Sequence, residues 1–83
     1  MSPNPYPLFV ISSNDQPEQI KIRAGMLIRL YLQDKKTFIA LAVVNHLKAL
    51  LSFPGFIVDM QQRCALRRLT AHWRYLSMLE NKY

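Results

Sequence analysis

The feature that most constrains the fold is the segment 37–52, "TFIALAVVNHLKALLS", which is apolar around most of its circumference when drawn as a helix. At 100° per residue one narrow stripe carries almost all of its polar side chains. That stripe consists of Thr37, Leu41, Asn45, Lys48 and Ser52. Such a helix must be buried on nearly all sides, so the rest of the chain has to pack around it. The 83 residues suffice for one such core, which predicts a single small basic domain over 1–83.

Turn-forming and capping residues indicate the bounds of two helices. Asp34 or Thr37 can cap a helix over about 35–52, and "FPGF" supplies the proline and glycine that end it. A second helix is predicted over about 56–80, and the short turn before it predicts an antiparallel helical hairpin. The face directed at the first helix is expected to carry Val58, Ala65, Leu69, Trp73 and Leu76.

The N-terminal part of the chain has the pattern of β-structure. Prolines at 3, 5 and 7 disfavour helix, so residues 1–6 are expected to form an extended arm that leads into a strand at "LFVIS". After the turn formers of "SSNDQPEQ", the stretch "IKIR" alternates apolar and basic residues, as a half-buried strand does. Residues 24–33 fit either strand or helix, and we favour a third strand. The predicted fold is therefore α+β: an N-terminal β-hairpin or three-stranded antiparallel sheet packed on a C-terminal antiparallel helical hairpin.

The charge distribution indicates an anionic partner. Eleven Lys or Arg stand against five Asp or Glu, which gives a net charge of +6 and a pI of about 9.9. The stretch "RCALRRLTAHWRYL" contains four arginines and no acid. On the second predicted helix Arg63, Arg67 and Arg74 fall within about 40° of one another, with Thr70 adjacent, on the side opposite Leu69. Guanidinium groups so arranged suit phosphate oxygens, although a purely solvated helix face is the alternative. The candidate binding residues are Arg63, Arg67, Thr70, Arg74, Lys35 and Lys36.

The second predicted helix also carries a second apolar band, which consists of Met60, Cys64, Tyr75 and Met78. A helix packed on one side needs only one apolar band, so the second must meet the sheet, a second copy of the chain or another protein. The sheet is the expected cover, and a homodimer stays open. His46 lies on the apolar side of the first helix, where a hydrogen-bonded core histidine is expected.

The sequence contains no pattern typical of an enzyme, a metal site or a membrane protein. Two glycines cannot form a Gly-rich phosphate loop, and the carboxylates are scattered, so we expect neither catalysis nor a cofactor. The single cysteine, Cys64, excludes an intramolecular disulfide and leaves a four-ligand zinc site short of ligands, so no metal is expected. Residues 38–58 are long enough to cross a bilayer, but Asn45, His46 and Lys48 interrupt the span, and the N-terminus lacks a secretory signal. We expect a cytoplasmic protein without a membrane partner.

The sequence thus predicts a small, basic, non-enzymatic binding protein that acts on nucleic acid or within a nucleic-acid-processing assembly. Small size, high charge and missing catalytic groups are typical of accessory proteins of phages and other mobile elements. The alternative is an adaptor or inhibitor that docks on an acidic or DNA-binding surface of a host protein. A helix-turn-helix over "LSFPGFIVDMQQRC" is disfavoured, because its second helix would open with apolar residues where a recognition helix must expose polar ones.

Overall fold

The chain forms three helices in the computed structural model, which describes residues 9–12, 14–53, 55 and 59–79. They are α1 (Pro17–Gln33), α2 (Thr37–Ser52) and α3 (Met60–Ser77). No strand occurs in the described ranges, so the predicted α+β fold, with its β-hairpin or three-stranded sheet, is wrong. The described part of the chain is a small helical bundle. The predicted extended arm at 1–6 lies outside the described residues.

The stretch predicted as strands, "IKIR" together with residues 24–33, belongs to α1. Ile20, Ala24, Leu27 and Tyr31 are all buried, and their spacing of four, three and four residues is that of one helix face. Ile22, which a half-buried strand would place beside Ile20, is 63% exposed. The two-residue alternation extends over only four positions, whereas the helical period extends over the whole element, and the longer pattern prevails.

Local signals at the start of α1 also favour helix. Pro17 occupies the first turn, where its fixed φ fits and its missing N–H is not needed. The side-chain Oε1 of Gln19 accepts a hydrogen bond from the backbone N–H of Gln16 at 3.1 Å, as in a capping box. The turn formers ahead of Pro17 therefore lead into a helix rather than joining two strands.

Helix α2 is the buried centre of the structure, as its apolar circumference predicts. Eight of its residues are buried, and the predicted polar stripe is its exposed side. Asp34, predicted as a possible cap for this helix, instead ends α1, and its backbone N–H donates to the Leu30 carbonyl at 2.9 Å. The helix ends at Ser52, before "FPGF", where Gly55 has a φ of +78° that L-residues rarely adopt.

Helices α1 and α3 each pack along α2, and their backbones stay apart from each other. No α-carbon of α1 lies within 8 Å of an α-carbon of α3, whereas both helices contact α2 extensively. The ring of Tyr31, near the end of α1, meets the ring of Trp73, near the end of α3, edge to face at 5.1 Å between centroids. Because α1 and α2 are joined by a short turn, this contact places α3 antiparallel to α2.

The buried face of α3 differs from the predicted one. Thr70 and Trp73 are buried and Leu66 is half-buried, whereas Leu69 is 40% exposed and Ala65 is exposed. The prediction that Ala65 and Leu69 are buried against the helix over 37–52 is therefore wrong. Trp73 is buried as predicted, and Leu76 packs against the core. Val58 lies outside the described residues. The apolar residues of α3 lie on several sides of the helix, so counting them does not identify the side that packs on α2. Thr70 can be buried because its Oγ1 donates to the Leu66 carbonyl at 2.7 Å.

Arg23 attaches the segment before α1 to that helix. Its guanidinium forms an ion pair with Asp15 and donates a second hydrogen bond to the carbonyl of Val10 at 3.1 Å. The hydrogen bonds from Arg23 and from the backbone N–H of Ser12 hold the pKa of the Asp15 carboxyl below its ordinary value. Val10 and Asp15 are thus fixed against α1.

His46 is a fully buried core residue, as predicted. Its Nδ1 lies 2.7 Å from the carbonyl oxygen of Ala42, so this nitrogen carries the proton and donates it. The other ring nitrogen, Nε2, has no hydrogen-bond partner among the described residues. Burial lowers the pKa of His46 below its ordinary value, and Arg23 acts in the same direction against the opposing effects of the Ala42 carbonyl and Asp15.

Acidification is expected to destabilise the fold through His46. The unfolded chain takes up a proton near the ordinary pKa of 6.5, while the folded chain resists protonation. The free energy of unfolding is therefore undiminished by His46 above pH 6.5, and it decreases as the pH falls from 6.5 towards the lowered pKa of the folded state. Urea denaturation at about pH 7.5 and about pH 5.5 measures the difference.

Two variants identify the titrating group. His46→Leu removes the imidazole and keeps an apolar core, so its free energy of unfolding should change little between the two pH values. His72→Gln removes an exposed histidine of α3 and should keep the wild-type dependence. If His46→Leu lost as much stability on acidification as the wild type, the buried imidazole would not be the cause.

Candidate functional site

The six residues predicted as a binding site occupy three different environments. Arg67 and Arg74 are exposed on α3, Thr70 is buried between them, and Arg63 is half-buried near the start of the helix. Lys35 and Lys36 are exposed in the turn between α1 and α2. The side of α3 that carries Arg67 and Arg74 adjoins α2, because the packed face is centred on Thr70 rather than on Leu69. The arginines therefore line a junction between helices instead of a face directed away from the core.

A shallow groove of about 250 Å³ runs along this junction. We call it the basic groove, and its lining residues are Lys48 and Leu51 of α2 and Arg67, Thr70, Ala71 and Arg74 of α3. Three of these six side chains are cations, and the others provide a small, largely apolar floor. The structure thus brings together Arg67, Thr70 and Arg74 from the predicted set.

The cations of the basic groove have no acidic partner in the part of the chain that the structure describes. Within the described ranges, neither Lys48 nor Arg67 nor Arg74 forms an ion pair, and no acid occurs in α3 between 60 and 77. A solvated helix surface usually mixes charges of both signs, which relieves repulsion between like charges. Three unpaired cations around one groove produce a local positive field that a polyvalent anion would neutralise.

Two residues of the predicted set, Arg63 and Thr70, each donate a hydrogen bond to a backbone carbonyl. Arg63 donates from Nη2 to the carbonyl oxygen of Leu51 at 3.3 Å. Leu51 lies in the last turn of α2, where carbonyls lack partners within the helix and a cation is favourable. The hydroxyl of Thr70 donates to Leu66. Arg63 therefore fastens the end of α2 to the start of α3, and Thr70 acts mainly in packing.

Lys48 is the cation of the basic groove that the sequence does not predict as a site residue. It was assigned to the exposed stripe of α2, but nothing in the sequence linked that stripe to the arginines of α3. The link requires knowing which side of α3 is packed. An exposed lysine in the middle of an otherwise apolar helix was the available signal.

The second apolar band of α3 is uncovered. Met60 is 78% exposed, Tyr75 61% and Met78 66%, and Cys64 is exposed as well. The predicted cover for this band was the sheet, and the described ranges contain no strand that could provide it. The band is a surface of α3 directed away from α2.

Comparisons with known proteins assign no family: no protein family, curated protein or solved structure matches this chain. Among the described residues, no helix combines the length and apolar character needed to span a membrane. The same residues contain no group of three or more His, Cys, Asp or Glu side chains placed to hold a metal ion.

The free energy of unfolding distinguishes the structural role of Arg63 from the exposed positions of Arg67 and Arg74. Arg63→Gln removes the contact with the Leu51 carbonyl and is expected to lower the free energy of unfolding by about 1 kcal/mol. Arg67→Gln and Arg74→Gln, at exposed positions without ion pairs to described residues, should each change it by less than about 0.5 kcal/mol. Urea denaturation of the three single variants makes the comparison. Equal effects at the three positions would contradict the structural role of Arg63.

Proposed function

We propose that this protein is a non-enzymatic nucleic-acid-binding protein whose basic groove contacts the phosphate backbone. The observation that carries the proposal is the convergence of Lys48, Arg67 and Arg74, without an acidic partner among the described residues, on one groove between α2 and α3. Arginine offers a planar fork of donors that fits phosphate oxygens, and lysine adds a mobile point charge.

The placement of the lysines favours a long anion over a small one. Lys36 precedes α2 and Lys48 lies twelve positions further along the chain, which corresponds to about 18 Å of helix rise. One phosphate cannot reach both positions, whereas a nucleic-acid strand presents charges at regular intervals over this distance. Lys35 and Lys36 are therefore proposed as outer contacts and Arg67 and Arg74 as central ones.

The floor of the groove supports backbone contact rather than base reading. Leu51 and Ala71 lie between the cations and offer no side-chain donor or acceptor to a base edge. Binding of this kind depends mainly on charge and has little sequence preference. The proposed setting is the cytoplasm, where an exposed thiol such as that of Cys64 stays reduced.

The test is a triple substitution of the groove cations, Lys48→Gln, Arg67→Gln and Arg74→Gln, measured by fluorescence anisotropy with a labelled DNA duplex and an RNA of mixed sequence. We expect the affinity to fall by about tenfold or more, since charge-assisted contacts are lost. The slope of log affinity against log salt for the duplex should decrease by about 0.9 for each phosphate contact removed. Arg63 is retained because it stabilises the fold.

A matched triple variant controls for net charge. Lys21→Gln, Arg29→Gln and Arg68→Gln also lower the net charge from +6 to +3, but at exposed positions outside the basic groove. This variant should bind within about threefold of the wild type at moderate salt, where distant charges are screened. Equal losses in both triple variants would show that binding follows total charge and that the groove has no special role.

A second candidate function is supported by the uncovered apolar band of α3. An adaptor or inhibitor that docks on an acidic protein surface would use Met60, Tyr75 and Met78 as its apolar centre and the arginines as its rim. Its binding would depend less on salt than phosphate contact does. Partners retained from a lysate after nuclease treatment and lost in Tyr75→Glu would favour this function, and partners lost with nuclease would favour the first.

A further inference from the structure

A second groove lies on the other side of α3, between α3 and α1. Its volume is about 600 Å³, and its apolar walls are Ala24, Ile28, Leu47, Leu50, Leu66 and Leu69. We call it the apolar groove. On α3 it is lined by Leu66 and Leu69, whereas the basic groove is lined by Arg67, Thr70 and Arg74, so the helix separates the two.

The apolar groove exists because the backbones of α1 and α3 stay apart along most of their length. Helices in direct contact have axes about 8 to 10 Å apart, and α1 and α3 have no α-carbons within 8 Å of each other. The contact between Tyr31 and Trp73 joins them at one end, and the groove opens away from it, with Leu47 and Leu50 of α2 as its floor. Leu69 is 40% exposed on its wall and Ile28 is half-buried.

We propose that the apolar groove binds an amphipathic helix of a partner protein whose solvent-facing side is acidic. A helix fits a trough between two others, because side chains spaced three and four residues apart enter it from one face. It would cover the exposed part of Leu69 and turn three helices into a four-helix arrangement.

The positive net charge of the chain favours an acidic helix over a second copy of the chain as the occupant of the apolar groove. The chain carries a net charge of +6, so a second copy would bring like charge to the same surface, whereas an acidic helix is attracted. Lys21 and Glu18 both line the groove, and Arg29 lies in the adjoining hollow of α1, so two cations stand beside one acid on this side. A partner on this side leaves the basic groove open, so a helix and a nucleic acid can be bound together.

The test uses a designed peptide of about 18 residues, long enough to be helical, with leucine on one face and glutamate on the other. A companion peptide has lysine in place of each glutamate. Fluorescence anisotropy of the labelled peptides is expected to show at least tenfold tighter binding of the acidic peptide. Weak or absent binding of the acidic peptide, or equal binding of both, overturns the proposal.

Three variants locate the peptide. Leu69→Glu puts a negative charge on the wall of the apolar groove, and Gly25→Glu puts one at its edge, where an added Cβ meets no atom within 4 Å. Each should weaken binding of the acidic peptide by tenfold or more. Tyr75→Glu introduces the same charge on another side of α3 and should stay within about threefold of the wild type.

Two further measurements separate the remaining outcomes. DNA affinity of Gly25→Glu and Leu69→Glu should stay close to that of the wild type, so a failure of this inference is distinct from a failure of nucleic-acid binding. Sedimentation velocity reports self-association. A dimer that Leu69→Glu dissociates would make a second copy the occupant and overturn the proposal, as would unchanged peptide binding in both groove variants.

Discussion

Burial of α2 is the constraint on which the rest of the structure depends. Eight of its sixteen residues are buried, including the imidazole of His46, and only one narrow side remains in contact with solvent. One neighbouring helix cannot cover so wide an apolar surface, because a single helix contact buries about one face. Two helices are needed, and α1 and α3 pack on different sides of α2. Both grooves follow from this arrangement, one at the junction of α2 with α3 and one in the gap between α1 and α3.

The two grooves differ in character because α3 has different residues on its two flanks. Arg67 and Arg74 lie on the flank beside the exposed stripe of α2, which adds Lys48. Leu66 and Leu69 lie on the other, opposite Ala24 and Ile28 of α1. A polyanion and an amphipathic helix would thus meet α3 from opposite sides. An adaptor that recruits a protein to a nucleic acid requires this separation of binding surfaces.

The sequence predicts α2 correctly and α1 wrongly, because the apolar pattern of α2 fits only a helix whereas the start of α1 also fits a strand. A helix that is apolar nearly all round has no competing interpretation, and the helix found over 37–52 matches the prediction. The stretch "IKIR" satisfies a strand and a helix equally, and the decision depends on Ala24, Leu27 and Tyr31 beyond it. The helical spacing of these residues is present in the sequence, but predicting one strand at "IKIR" and another over 24–33 separates Ile20 from the three residues that complete the helical pattern.

The candidate site was only partly predictable for a related reason. The angular grouping of the arginines follows from helix geometry alone. Which of them contact solvent depends on the packed side of α3, and a buried threonine decides that side. The polar side chain of Thr70 predicts exposure, yet its intrahelical hydrogen bond permits burial. With Thr70 on the packed side of α3, Arg63 lies against the end of α2, and Lys48 lies beside Arg67 and Arg74. Sequence spacing could not show either placement.

The central claim, that phosphate contact occurs at the junction of α2 and α3, is tested most directly by NMR of the isotope-labelled protein titrated with a short DNA duplex. The account predicts that amide shift changes concentrate at Lys48, Arg67, Ala71 and Arg74, while Gly25, Ile28 and Leu69 across α3 stay nearly unchanged. Shift changes centred on Lys21 and Arg29 of α1, or spread evenly over all exposed cations, would contradict it.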